Sequence, residues 1–262
     1  KSLVDYIDEL KRTTASKERI ESELRIARDI QMGMVPKIFP PFPERDDVDL
    51  YAKLIPAKEV GGDLYDFFIE GGKFYFIVGD VSGKGVPASL VMAVTCRLFR
   101  TVPAHFQTPA ELVTALNDAL AESNESNMFC TFFIGILDLE SGYLQYCNAG
   151  HNAPVILSPS GEVKFMEVEA NLPLGLFGGF PYQGQECTIE KDTSIFLYTD
   201  GVTEAENVEK ALYSDERLLQ QLEKLQKETP NAMVDGVLVD IESHVAEAEQ
   251  SDDITIMCLH YK

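Results

Sequence analysis

The pattern of apolar and charged residues changes near residue 35 of this chain. Before that point, most positions of one heptad seam are apolar in a segment otherwise rich in charge, which predicts an amphipathic helix. We predict a helical linker over residues 1–35 that lies either on its own domain or against a second copy of the chain as a coiled coil. The polar character of residues 1–20 favours the coiled coil and a homodimer. The seam consists of Leu3, Tyr6, Leu10, Thr13, Lys17, Ile20, Leu24, Ala27, Gln31 and Met34.

A cluster of prolines is predicted to end this helix, because proline lacks the amide hydrogen and disfavours a helical residue before it. The cluster consists of Pro36, Pro40, Pro41 and Pro43. Beyond it, apolar or alternating runs bounded by glycine turns predict strands over residues 50–55, 65–69, 74–78, 128–137, 143–148, 155–157, 163–168, 194–199 and 254–259. Helical patterns cover residues 87–100, 109–122, 215–227 and 231–248.

The order of these elements predicts the fold class. Hairpins come first and helices are inserted between blocks of strands, so the strict alternation expected of a doubly wound parallel sheet is absent. We therefore predict an α+β fold over residues 36–262, in which mainly antiparallel sheets form a sandwich with helices outside it.

Composition narrows the class of protein. The 262 residues include 22 basic and 43 acidic side chains, and the net charge of −21 repels nucleic acid and anionic lipid. No stretch approaches the roughly 20 apolar residues of a membrane helix. The odd number of dispersed cysteines, without a Cys-x-x-Cys pair, predicts reduced core thiols and a cytoplasmic protein. They are Cys96, Cys130, Cys147, Cys187 and Cys258.

Candidate chemistry lies in four acidic signatures, three of which adjoin predicted buried strands. An aspartate at the end of an apolar strand is costly unless something neutralises it, and four drawn together would suit Mg²⁺ or Mn²⁺. Each aspartate taken alone is equally an Asx-turn or a helix cap. Their recurrence at strand ends favours a metal site. The four are Asp63, Asp80, Asp200 and Asp252.

Two classes of nucleotide-dependent protein are excluded, because the residues of their motifs do not occur here at the required spacing. Gly83-Lys84-Gly85 lacks the Gly-x-x-x-x-Gly-Lys-Ser/Thr pattern of a phosphate-binding loop. Gly61-Gly62-Asp63 is followed by Leu64 rather than by the glutamate of cyclic-dinucleotide synthases. We therefore expect neither a nucleotide-triphosphate loop nor a cyclase.

Six ordered motifs resemble a known family. They are Gly61-Gly62-Asp63-Leu64-Tyr65-Asp66, Gly79-Asp80-Val81-Ser82-Gly83-Lys84-Gly85, Asn148-Ala149-Gly150-His151-Asn152, Pro173-Leu174-Gly175, Tyr198-Thr199-Asp200-Gly201-Val202-Thr203-Glu204 and Asp252-Asp253-Ile254-Thr255. In this order they resemble the signatures of the SpoIIE/RsbU-type bacterial branch of metal-dependent protein serine/threonine phosphatases, the phosphatase 2C-like (PPM) family. The resemblance spans about residues 23–259.

The resemblance implies a pair of antiparallel sheets with a binuclear Mn²⁺ or Mg²⁺ centre at one edge. Asp80 would bridge the two ions, the Val81 carbonyl would bind one of them, and Asp200 and Asp252 would hold the other. Asp63 would lie beside them as a further metal-site acid that orders water for catalysis. Two neighbouring ions can activate a shared water for in-line attack on phosphorus.

Some assignments are open on sequence grounds. Side chains alternate along a strand, so only one of Asp252 and Asp253 can readily face the ions, and motif position favours Asp252. Glu204 matches the place of a third-metal acid in some relatives, or it is a solvated acid. His151 is either a general acid or, as we favour, a structural histidine. The arginine that holds substrate phosphate in eukaryotic members has no counterpart before the first acidic motif.

The resemblance implies a phosphatase that acts on phosphoserine or phosphothreonine of a regulatory protein, such as an anti-sigma-factor antagonist. The alternative is a non-catalytic module that keeps the fold as a scaffold. The chain begins with Lys1 rather than methionine, so we expect it to be cut from a longer protein with an upstream sensor. We further expect that sensor to act on the metal site through the N-terminal helix.

Overall fold

Two five-stranded sheets form the centre of the computed structural model, which describes residues 3–101, 106–122 and 124–262. The first sheet contains, in spatial order, β1 (Val48–Ile55), β10 (Ile254–Tyr261), β9 (Thr193–Tyr198), β6 (Val155–Leu157) and β7 (Val163–Phe165). The second contains β2 (Leu64–Glu70), β3 (Lys73–Val81), β4 (Cys130–Asp138), β5 (Tyr143–Ala149) and β8 (Gln185–Thr188). Neighbouring strands in both sheets are antiparallel, which confirms the predicted α+β sandwich.

Helices cover the outer faces of both sheets. The helices of the described residues are α1 (Leu3–Met32), α2 (Val86–Thr101), α3 (Pro109–Ala121), α4 (Asp200–Thr203), α5 (Asp215–Leu225) and α6 (Pro230–Val245). Helices α2 and α3 lie against the second sheet, whereas α5 and α6 lie on the side of the first. The start of α3 follows from its sequence, because Thr108 and Glu111 form a capping box around Pro109.

The core consists of two apolar layers divided by the first sheet. Strand β10 shows the division, because successive side chains of a strand point to opposite faces. Met257 and Leu259 face the second sheet, whereas Ile256 and Cys258 pack in the cluster beneath α5 and α6. Burial of these side chains removes apolar surface from water and fixes the spacing of the layers.

The long helix α1 leaves most of its apolar side chains in solvent. Leu3 is 75% exposed, and Ile20 and Ile26 are 55% and 59% exposed. Gln31 is its one buried side chain among the described residues. The helix therefore does not pack along its own domain over most of its length, and its pairing with a second copy stays a prediction.

Most elements were predicted to within a few residues. The Gly71-Gly72 hairpin joins β2 to β3, and the predicted strand and helix runs correspond to strands and helices of the structure. Two short elements were missed, β8 and the single turn α4. All five cysteines are unpaired, as expected. In the described ranges we find no helix with the length and apolar character required to cross a membrane.

Candidate metal centre

The acidic residues singled out by sequence meet where strand ends of the two sheets adjoin. Asp63 directly precedes β2 and Asp80 lies near the end of β3, whereas Asp200 follows β9 and Asp252 precedes β10. A hydrogen bond joins the two groups, since the Thr199 hydroxyl donates to Asp63 Oδ2 over 2.7 Å. The fold thus gathers side chains that lie far apart in the sequence.

Asp63 and Asp80 form a buried carboxyl pair. Burial raises the pKa of Asp63 well above its usual range, and the neighbouring charge of Asp80 raises it further. Burial also raises the pKa of Asp80 to about 7, with repulsion from Asp200 as the next cause and a hydrogen bond with Asp63 opposing it. Because two adjacent carboxylates resist ionising together, the pair retains a proton near neutral pH in the metal-free protein.

Asp200 completes the group from the opposite side. Burial raises its pKa, and the charges of Glu204 and Asp252 add to this effect. The carboxylate lies at the start of α4, directly before Gly201. A Cβ atom on that glycine would lie 1.9 Å from the Asp253 carbonyl oxygen, so the close approach of the two loops requires glycine here.

Asp252 and Asp253 have different surroundings. Both carboxylate oxygens of the buried Asp253 accept backbone hydrogen bonds, from Ala57 N at 2.8 Å and from Gly62 N at 2.8 Å. Asp252 is partly exposed, and its Oδ2 lies 2.8 Å from Lys84 Nζ. Asp253 therefore holds the loop before β2 in place, while Asp252 is the one of the two with a carboxylate directed at other charged groups.

The backbone around Val81 is closely packed. The Val81 amide donates to the Gly62 carbonyl over 3.3 Å. A Cβ atom at Gly62 would lie 2.6 Å from the Val81 carbonyl oxygen and 3.3 Å from Asp80 Oδ1. Any larger residue at position 62 would displace this carbonyl, which is one of the predicted metal ligands.

His151 is buried, and its contacts are with neighbouring backbone and hydroxyl groups. The Asn148 side chain forms two hydrogen bonds with the His151 backbone. Its Oδ1 accepts from the His151 amide, and its Nδ2 donates to the His151 carbonyl. The ring Nδ1 contacts Thr131 Oγ1 at 2.9 Å, and burial lowers the pKa of His151 to about 4. These contacts are those of a neutral structural histidine, the interpretation favoured from the sequence.

Gln31 contributes a contact that sequence reasoning missed. Its side chain binds the Gly61 backbone on both sides, since Nε2 donates to the carbonyl over 2.6 Å and Oε1 accepts from the amide over 3.2 Å. Gln31 occupies a position of the heptad seam where most residues are apolar. A polar residue at such a position was the one indication in the sequence that its side chain makes a specific hydrogen bond. The helix α1 is thus attached two residues before Asp63.

Lys84 is the second residue that was missed. The sequence interpretation set it aside with the rejected phosphate-loop pattern. The structure places Nζ against Asp252, and it also donates to the Ser251 carbonyl over 2.6 Å. Two lysines, Lys53 and Lys58, lie ahead of the first acidic motif, where the sequence has no arginine. Lys53 is paired with Asp235 and Lys58 is exposed.

The donors suit a hard divalent cation in their chemistry. Carboxylates and a backbone carbonyl are the oxygen ligands that Mg²⁺ and Mn²⁺ prefer, and mutual repulsion among these acids would be relieved by bound positive charge. Within residues 3–101, 106–122 and 124–262, however, no three acidic, histidine or cysteine side chains already form a complete cation-binding group.

The sandwich of two antiparallel sheets is the phosphatase 2C fold. The structure is similar to the SiaA-PP2C domain of Pseudomonas aeruginosa, with a TM-score of 0.83 and 19% identity over 95% of this chain and 99% of that one. It is also similar to RsbX in complex with magnesium, with a TM-score of 0.63 and 18% identity over 83% of this chain and 97% of that one.

Sequence comparison gives the family. The model of the stage II sporulation protein E (SpoIIE) family matches residues 70–262, and the chain belongs to this family. It is 27% identical over 247 residues to the phosphoserine phosphatase RsbU of Bacillus subtilis, covering 94% of this chain and 72% of RsbU. It spans 41% and 45% of two other relatives. The predicted resemblance is confirmed, and the enzyme class is that of the protein serine/threonine phosphatases.

Proposed function

We propose that this chain hydrolyses phosphoserine or phosphothreonine on a regulatory protein with the help of two Mn²⁺ or Mg²⁺ ions. The observation that carries the proposal is the convergence of Asp63, Asp80, Asp200 and Asp252 beside the Val81 carbonyl, in a member of a phosphatase family.

The proposed ligand roles follow the motif positions. Asp80 would be a ligand shared by the two ions, and the Val81 carbonyl, Asp200 and Asp252 would supply the remaining protein ligands. Asp63 stays beside them, where its hydrogen bond to Thr199 fixes the carboxyl group. Bound ions of this kind supply charge neutralisation and lower the pKa of water. Glu204, which is exposed next to Asp200, is the candidate for a third ion.

The paired carboxyl groups of Asp63 and Asp80 hold a proton that the site can release when a cation binds. The raised pKa values of Asp63 and Asp80 mean that one proton is held between these carboxyl groups near neutral pH. Ligand carboxylates must be deprotonated to bind a cation, so cation binding at this site releases that proton. Asp63 and Asp80 therefore make the affinity for divalent cations rise with pH through the neutral range.

The substrate class rests on the relatives. RsbU is named a phosphoserine phosphatase, and we extend this activity to a phosphorylated regulator such as an anti-sigma-factor antagonist. A scaffold without catalysis is the alternative, and the intact acidic positions count against it.

Phosphate release tests the proposed function. Candidate phosphoproteins are incubated with Mn²⁺, with Mg²⁺ and with a chelator, and free phosphate is measured. We expect release with at least one of the two ions and none with the chelator. Stable binding of the phosphoprotein without phosphate release in either ion would instead support the scaffold.

The N-terminal helix offers a route of regulation. Gln31 is buried at the end of α1 and holds Gly61, while Gly62 donates to Asp253 and Asp63 follows. We propose that α1 pairs with α1 of a second copy through its exposed apolar residues, and that an upstream sensor alters this pairing. A change in the position of α1 would then reach the acidic loop through the Gln31 contact.

Gln31→Ala tests this route. Removal of two hydrogen bonds from a buried backbone segment should loosen the Gly61 loop, and we expect Mn²⁺ affinity and basal activity to fall by about threefold to tenfold. Isothermal titration and phosphate release measure the two effects. Gln220→Ala, which changes an exposed glutamine of α5, is the control. If Gln31→Ala and a chain starting at Pro36 both match the unaltered protein, the helix does not act on the site.

A further inference from the structure

Lys84 lies on the solvent side of the acidic group. Its Nζ atom is 2.8 Å from Asp252 Oδ2 and 2.6 Å from the Ser251 carbonyl oxygen. The side chain is 41% exposed, and the charges of Asp252, Asp253 and Asp200 all act on its ammonium group. Lys84 is therefore a cation held at the mouth of the proposed catalytic site.

The Lys84 ammonium group and a divalent metal ion would compete for the Asp252 carboxylate. Asp252 is a proposed metal ligand, and a carboxylate that is bound to lysine is a weaker ligand for a divalent ion. The lysine side chain is free to move, because it is a flexible four-carbon chain ending in a compact charge. Lys84 lies between Gly83 and Gly85, whose φ values of 84° and 78° are in the left-handed region that favours glycine.

The substrate brings a further demand for positive charge. A phosphoserine carries close to two negative charges at neutral pH and three acceptor oxygens. Two other basic residues, Arg100 and Lys53, are paired with acids outside the proposed ligand set, Asp66 and Asp235. Lys84 is placed where it can leave one carboxylate and meet another anion.

We propose that Lys84 exchanges partners during the reaction cycle, neutralising Asp252 in the metal-free protein and binding a phosphate oxygen of the substrate once ions occupy the site. This inference rests on the proposed phosphatase function and adds the group that holds the phosphate. Lys84 thereby takes the place of the arginine that the sequence lacks. No bond is made or broken in this step apart from the ion pairs.

Lys84→Met tests the exchange, with Lys84→Arg as the variant that keeps the charge. Isothermal titration measures Mn²⁺ binding to the metal-free proteins, and inorganic phosphate is then titrated into the Mg²⁺-loaded proteins. For Lys84→Met we expect Mn²⁺ to bind about threefold or more tightly, because its competitor is gone. Phosphate should bind at least tenfold more weakly, and KM for the phosphoprotein should rise more than kcat falls. Lys84→Arg should restore phosphate binding at least in part.

Lys53→Met is the matched control, because Lys53 has a similar exposure of 45% and a single aspartate partner. We expect it to leave both affinities unchanged. The exchange is overturned if Lys84→Met binds phosphate as tightly as the unaltered protein, or if it weakens Mn²⁺ and phosphate together, as loss of a purely structural contact with Ser251 would. Phosphate release by the unaltered protein is measured separately, so failure of the phosphatase function is distinguishable from failure of the exchange.

Discussion

Asp80→Asn abolishes phosphate release while the protein stays folded, if Asp80 bridges the two ions as we propose. Loss of a ligand shared by both ions should lower activity by at least about a hundredfold. Asparagine keeps the shape of the side chain, and its amide can donate to Asp63. Phosphate release from a phosphoprotein measures the loss, and circular dichroism checks the fold.

The same variant should be more stable than the unaltered protein when ions are removed. The folded-state pKa of Asp80 is raised from 3.8 to about 7, so the protonated carboxyl is favoured by folding. The resulting penalty is absent below pH 4, grows as pH rises and is complete above pH 7. At pH 8 the gain from asparagine is roughly 2–4 kcal/mol, and it should shrink as pH falls towards 4.

Thermal unfolding in a chelator at several pH values measures this difference. The same experiment with Mn²⁺ should reverse the order, because only the unaltered protein gains stability from bound ions. Equal stabilisation of both proteins by Mn²⁺ would contradict the bridging role. Retained activity in a well-folded Asp80→Asn protein would contradict the proposed mechanism as a whole.

Substitution of the adjacent aspartates should have opposite consequences. Asp253→Ala removes the acceptor of the buried Gly62 amide and of the partly buried Ala57 amide, at a cost of about 2–5 kcal/mol. The unfolding temperature should fall by about 5–15 °C. Asp252→Ala removes a partly exposed pair with Lys84 and should change stability by less than about 1 kcal/mol. Its effect should be on Mn²⁺ affinity instead.

Thermal unfolding in a chelator and Mn²⁺ titration separate the two aspartates. Asp253→Asn retains one acceptor oxygen and serves as the intermediate variant for the stability measurement. A loss of Mn²⁺ affinity confined to Asp253→Ala, with Asp252→Ala unaffected, would reverse the proposed assignment.

The sequence predicted what depends on local patterns. Apolar runs along β2 and β3 and the Gly71-Gly72 turn identify a hairpin, because strands that are largely buried read as short apolar runs bounded by turn residues. Strand β8 was missed because its four residues alternate between half-buried and exposed positions at a sheet edge, where the apolar signal is weak.

The sequence identified the acidic residues that form the site, but it did not predict the contacts that other residues make with them. Asp80 and Asp200 follow apolar strands, so their positions were visible from the residues themselves. The roles of Gln31 and Lys84 depend on residues 30 and 168 positions away, Gly61 and Asp252, and no local pattern encodes such a pairing. Likewise, the division of labour between Asp252 and Asp253 follows from which backbone amides each one meets.

The hydrogen bond from Thr199 to Asp63 has a consequence for the whole domain. Thr199 follows a strand of the first sheet and Asp63 precedes a strand of the second. The site therefore lies at the boundary between the two sheets. The dimensions of the site are therefore set by the thickness of the apolar core between the two sheets. Buried side chains of this layer, such as Met257, act as spacers that determine how closely the two halves of the site approach each other.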